Sequence, residues 1–213
     1  YKNIRKFIRY LLSCNIGEVV TMFFAMLMGM PVPLLPIQIL LINLVTDGLP
    51  AIALGLEPGE PEVMSRPPRQ PDESIFSHGL GATILLRGIL IGLTTLGVFG
   101  WMLRQGAPLE AARTGALLTL ILTQLIHVFE CRSETRSLFA VPLSSNPKLV
   151  GAVTVSASVA AAAVWWAPAR EIFLTAALSG QQLQLIILCC AIVPVISGLV
   201  LALRSGKSRR LEE

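Results

Sequence analysis

The sequence predicts an all-α integral membrane protein, a bundle of six transmembrane helices. Three observations carry that expectation. The composition is 54% hydrophobic and only 14% charged, with a mean hydropathy of +0.70, whereas soluble domains carry about a quarter charged residues. Six apolar runs are each long enough to cross a bilayer, which takes about 20 helical residues. None alternates strictly between apolar and polar, so the runs read as helices and not as barrel strands.

The runs fall at about 7–28, 34–54, 80–103, 111–130, 149–167 and 183–203. The first follows a basic segment, "YKNIRKFIRY", and a tight turn around "GMPVP" leads to the second. These two are therefore expected to be antiparallel neighbours. Between the second and third lies the one long connection, 55–78, whose "EPGEPEVMSRPPRQPDESIFS" is rich in Pro and acidic residues and reads as a turn-rich docking loop. In the third run, Gly88, Gly92 and Gly97 predict close helix packing, with Gly17 of the first run as a partner, and Arg87 stands near enough to the start to snorkel back to the interface. Lys2, Arg5, Lys6, Arg9, Arg66, Arg69, Arg132, Arg136, Lys148, Arg204, Lys207, Arg209 and Arg210 all fall on one side of the bundle, and only Arg104, Arg113 and Arg170 on the other. The positive-inside rule then puts both termini and the 55–78 loop in the cytosol. This distribution follows membrane topology and gives no reason to expect a nucleic-acid partner. Cys14, Cys131, Cys189 and Cys190 have no metal-ligand spacing and read as small apolar fillers. With no initiator Met, the chain is expected to be a fragment of a longer protein.

Polar groups within the runs carry the functional signal, because an ionisable residue at the bilayer centre costs about 2.5–3.5 kcal/mol and needs a partner or a task. In "LINLVTDGLPA", Asn43, Thr46 and Asp47 have the i, i+3, i+4 spacing of one helix face. Pro50 has no N–H and clashes with the Thr46 carbonyl, so the backbone should loosen where these side chains cluster. In the first run, Asn15 and Glu18 are spaced i, i+3. Glu18 and Asp47 fall at similar depth. Two facing carboxylates in low dielectric repel, and a cation between them resolves the conflict. Asn, Glu, Asn, Thr and Asp oxygens are hard ligands of the kind Ca²⁺ takes six to eight of. Gln124 of the fourth run can reach the same layer. His127, one turn further on, reads as structural or surface.

The stretches "YKNIRKFIRYLLSCNIGEVV", "QILLINLVTDGLPAIALG" and "VMSRPPRQPDESIFS" resemble P-type ATPases that pump calcium, the sarco/endoplasmic-reticulum type in particular. The likeness is dense over residues 1 to about 80, looser to "CRSETRSLF", and limited to the span pattern beyond. It implies that the six helices are the last six of a ten-helix P-type ATPase membrane domain. It also implies that Asn15, Glu18, Thr46 and Asp47 ligate one Ca²⁺ and Asn43 and Asp47 a second. Gln124 stands where the family has an acid, which puts two-ion stoichiometry in doubt. Arg66 and Arg69 of the "RPPR" loop would meet a phosphorylation domain. The implied partners are Ca²⁺, the lipid bilayer, and upstream phosphorylation, nucleotide-binding and actuator domains of the same polypeptide. Mg²⁺ and ATP would serve the full-length protein only, because the sequence contains no "DKTGT" motif. Short outer loops point to a bacterial plasma membrane. The competing expectations are a Na⁺ or Mn²⁺ pump of the same family, an ATP-independent cation/proton antiporter, or an anchor module with polar interhelical pins.

Overall fold

A computed structural model describes residues 1–58, 75–77, 79–133 and 141–209, with side chains described as far as residue 196. Among them the regular structure is all helical: α1 (Lys2–Leu27), α2 (Pro36–Leu41), a π-helical segment (Ile42–Asp47), α3 (Gly48–Gly55), α4 (Leu80–Arg104), α5 (Leu109–Glu130), α6 (Pro147–Trp165), α7 (Ala167–Phe173) and α8 (Gly180–Arg209). Five of the helical stretches are long and apolar enough to span a membrane: α1, α2 through α3, α4, α5 and α6. The sixth apolar run lies in α8, whose described apolar part is Gly180–Ile196. The protein is thus an integral membrane α-bundle.

Local chemistry sets the ends. Pro36 takes the first turn of α2, where its missing N–H is not needed, and the Gln38 side chain accepts from the Leu35 N–H at 3.0 Å. Asn146 caps α6 by accepting from Leu149 N at 3.0 Å, with Pro147 just inside. After α6 the chain breaks at Trp166, and Thr175 folds back to donate to the Ala163 carbonyl.

Packing then follows from small residues. In lipid there is little hydrophobic force between helices, so close backbone approach and dispersion must hold them. A Cβ added at Gly88 would lie 2.3 Å from Ile16 Cγ2, and one at Gly92 would lie 2.8 Å from the Gly17 carbonyl. Thr21 Oγ1 donates to the carbonyls of Gly17 (2.8 Å) and Gly92 (3.3 Å), stitching α1 to α4. Gly97 faces open space and takes no part in this contact. Helix α5 runs through the middle. Its buried face includes Ala111, Ala112, Gly115 and Ala116, and Thr114, Thr119 and Thr123 return their hydroxyls to their own helix.

The basic end departs from expectation in two ways. Helix α1 begins at Lys2, ahead of the apolar run expected from about 7, and its Arg5, Lys6 and Arg9 are buried. Arg87 does not snorkel. It is 8% exposed and pairs with Glu130 at 3.2 Å, because Glu130 at the end of α5 lies at the same level and a paired guanidinium need not reach water. His127 is structural: Nδ1 meets Glu130 Oε2 at 2.9 Å, and the ring is fully enclosed. The central part of the 55–78 loop, with Arg66 and Arg69, lies outside the described residues.

Candidate cation site

The second span is helical throughout, but its hydrogen-bond pattern widens to π over Ile42–Asp47, directly before Pro50. The cause is local. An α pattern would have the Thr46 carbonyl accept from residue 50 and a π pattern the Val45 carbonyl, and Pro50 can donate to neither. Neighbouring helices supply the missing donors. Tyr10 Oη of α1 donates to the Thr46 carbonyl at 3.3 Å, and Ser156 Oγ of α6 donates to the Val45 carbonyl at 2.9 Å. Freed backbone at this depth survives because protein surrounds it.

The loosened turn carries Asp47 into the interior, where it is 1% exposed. The Tyr10 hydroxyl shares its one proton between the Thr46 carbonyl and Asp47 Oδ1, the latter at 3.1 Å, and Gln124 Nε2 of α5 approaches Asp47 Oδ2 at 3.3 Å. The same Gln124 nitrogen lies 3.3 Å from Glu18 Oε1, while Asn43 Nδ2 donates to Glu18 Oε2 at 3.1 Å. One amide therefore bridges two carboxylates from two helices. Its own oxygen, Oε1, is buried and has no partner. A buried amide oxygen without a protein donor is uncommon, and a water or a cation would satisfy it.

Glu18, Asn43, Asp47 and Gln124 are thus brought together. Thr46 is adjacent, but its hydroxyl bonds back to the Ile42 carbonyl at 2.9 Å. Asn15 is not brought in; it is exposed on α1. The i, i+3 spacing that links it to Glu18 is loose enough to place one of the pair inward and the other outward. Sequence reasoning passed over Tyr10, whose only signal was a polar aromatic two turns before Glu18, 8 residues away on α1. Among the described residues no group of three or more His, Cys, Asp or Glu is arranged to hold a metal ion. The set is two carboxylates with neutral amide and phenol groups, which suits a hard cation and not a soft one.

A family profile described as "Cation transporting ATPase, C-terminus" matches residues 31–203. The chain belongs to this family. Calcium-transporting ATPase of Bacillus subtilis is 48% identical over 188 residues, covering 88% of this chain and 21% of that protein. Calcium-transporting ATPase 1 of Bacillus cereus is 36% identical over 213 residues, covering 92% and 24%. Calcium-transporting ATPase 1 of Lactococcus lactis is 40% identical over 154 residues, covering 72% and 17%. The chain spans about a fifth of the length of these relatives. It is thus similar to the C-terminal membrane region of P-type cation-transporting ATPases, and its polar cluster lies between α1, the π segment and α5.

Proposed function

We propose that this region is the ion-translocating membrane part of an ATP-driven Ca²⁺ pump. The reading rests on one observation above the others: two buried carboxylates, Glu18 and Asp47, share a single bridging amide whose oxygen is left without a partner. In the ion-free arrangement the Gln124 NH₂ lies between the two acids as a neutral donor. A divalent cation entering between them displaces that donor, and rotation of the amide offers Oε1 to the ion. Asn43 releases Glu18 in the same step. Asn15 and Thr46 join the shell only when α1 turns and the Thr46 hydroxyl leaves the Ile42 carbonyl. The names of the relatives support Ca²⁺ as the cargo. Phosphoryl transfer from ATP, with Mg²⁺, falls to parts of the polypeptide outside this sequence, and this region alone does not hydrolyse ATP. Both termini and the 55–78 loop face the cytosol, following the basic residues.

The charge balance sets the number of ions. Two Ca²⁺ bring four positive charges into low dielectric, against two carboxylates here and the one more that the resemblance to calcium pumps implies on an earlier helix. One ion is balanced when one of the three acids keeps its proton; two leave an uncompensated charge. Equilibrium ⁴⁵Ca²⁺ binding to the purified full-length protein is expected to level off near one ion per phosphorylatable site. A plateau at two, or a Hill coefficient near two, would mean that neutral oxygens and water suffice.

The loop reading has its own test. Arg66→Ala with Arg69→Ala is expected to slow turnover several-fold while equilibrium Ca²⁺ binding stays close to native, because the loop couples and does not ligate. Lost binding in a folded double variant would end that division of labour.

A further inference from the structure

A second polar cluster lies at the basic end, apart from the cation site. Glu57, two residues past the end of α3, is 7% exposed. Its Oε1 accepts from Arg132 Nε at 2.9 Å and lies 2.8 Å from Arg132 Nη2. Its Oε2 accepts from Asn146 Nδ2 at 2.5 Å, and its backbone carbonyl accepts from Asn3 Nδ2 at 2.7 Å. Arg132, just past α5, also donates to the Pro142 carbonyl at 3.0 Å. Asn146, the cap of α6, also donates to the Ala53 carbonyl of α3 at 3.2 Å. Glu57 thus ties α1 through its backbone carbonyl, and the α5–α6 connection and the start of α6 through its carboxylate, to the end of α3.

A buried ion pair is a poor stabiliser, because desolvation offsets most of its attraction. What a planar guanidinium fork on a carboxylate does supply is fixed geometry. The positions of the two partners give that geometry a use. Asp47 directly precedes α3, and Glu57 stands two residues past its end. Gln124 lies in the last two turns of α5, and Arg132 stands two residues past that helix. Each helix therefore carries a cation-site side chain at one level and half of the ion pair at another. The two levels are roughly 12–15 Å apart by helical rise.

We propose that Glu57, Arg132 and Asn146 form a junction that holds α3 and α5 in register, and so sets the position of Asp47 against Gln124. These are positioning residues; none touches the cation. The inference rests on the pump reading. A displacement applied at the base of the 55–78 loop would reach both sides of the site together, not one at a time.

The test uses the full-length protein and the Ca²⁺ dependence of its phosphorylation by ATP, normalised to folded protein. Glu57→Ala and Arg132→Ala are each expected to raise half-saturating Ca²⁺ about tenfold, and the double variant no further than either single, as for one coupled unit. Arg132→Lys, which keeps the charge but loses the fork, is expected to shift it about threefold and serves if the Ala variants do not accumulate. A purely structural role would lower yield or thermal stability and leave half-saturating Ca²⁺ unchanged, which overturns the proposal; so does a double variant whose shift is the product of the two singles. An unsubstituted protein that forms no Ca²⁺-dependent phosphoenzyme would overturn the pump reading first, and the junction's role with it.

Discussion

Asp47→Asn in the full-length protein is expected to abolish Ca²⁺-dependent phosphorylation by ATP, a loss of at least a hundredfold in apparent Ca²⁺ affinity. That corresponds to about 3 kcal/mol or more, within what removing one member of a buried charged set costs. The substitution is nearly isosteric. Asn keeps an oxygen for Tyr10 and the volume at the π segment, so the fold should persist. What is lost is half the negative charge between α1 and α5. In the ion-free protein the cluster would lose an acceptor for Gln124, but it would also lose a carboxylate facing Glu18, so stability should change little while binding collapses. Glu18→Gln removes the other charge on the exposed-amide side of the site and is expected to weaken Ca²⁺ dependence less, with the protein folded. Phosphorylation titrations against free Ca²⁺ decide both. Near-native Ca²⁺ affinity in Asp47→Asn would mean that the site lies elsewhere.

The second large effect is on assembly of the bundle. Gly88→Leu or Gly92→Leu is expected to prevent accumulation of folded protein, and even Gly88→Ala to lower the melting temperature of the detergent-solubilised protein markedly. At Gly88 an added Cβ falls 2.9 Å from the Ser13 carbonyl as well as 2.5 Å from Ile16 Cβ. A side-chain tip could move aside, but the backbone carbonyl can move only if α1 and α4 separate. Overpacking of this kind costs about 1–3 kcal/mol for small additions and more where the backbone must shift. The same helix contains its control. Gly97 has nothing within 4 Å of a built Cβ, so Gly97→Ala should be neutral or stabilising, by up to about 1 kcal/mol of helix propensity. Equal sensitivity at positions 92 and 97 would refute the account of the α1–α4 contact.

The segregation of residues by type made the membrane class legible. Apolar run length and the one-sided placement of Lys and Arg are local or additive properties, and they need no knowledge of which helix touches which. Glu18 and Asp47 were legible for a related reason: a carboxylate in a long apolar run is costly wherever the run packs. Pro50 was legible as a loosening point, because its missing N–H acts within its own turn. The glycines at 17, 88 and 92 announced a close contact, and Gly97 announced the same contact falsely, since periodicity marks a face but does not say how far along it the partner runs.

What the sequence determined by itself was therefore the membrane fold class, the stretches that become helices, and the acids whose place in an apolar run demands polar partners. Only the tertiary structure decided which groups those acids meet. Tyr10 on Asp47, Gln124 across both carboxylates, Arg87 on Glu130 and Glu57 on Arg132 each join residues that are tens of positions apart. Asn15, three residues from Glu18, points away from it. The physical reason is rotational. A helix can turn about its axis without altering its own hydrogen bonds, so its internal spacing does not fix which side faces inward. That angle is set by the close backbone approach of α1 to α4 and by the widened turn before Pro50, and it belongs to the packed bundle.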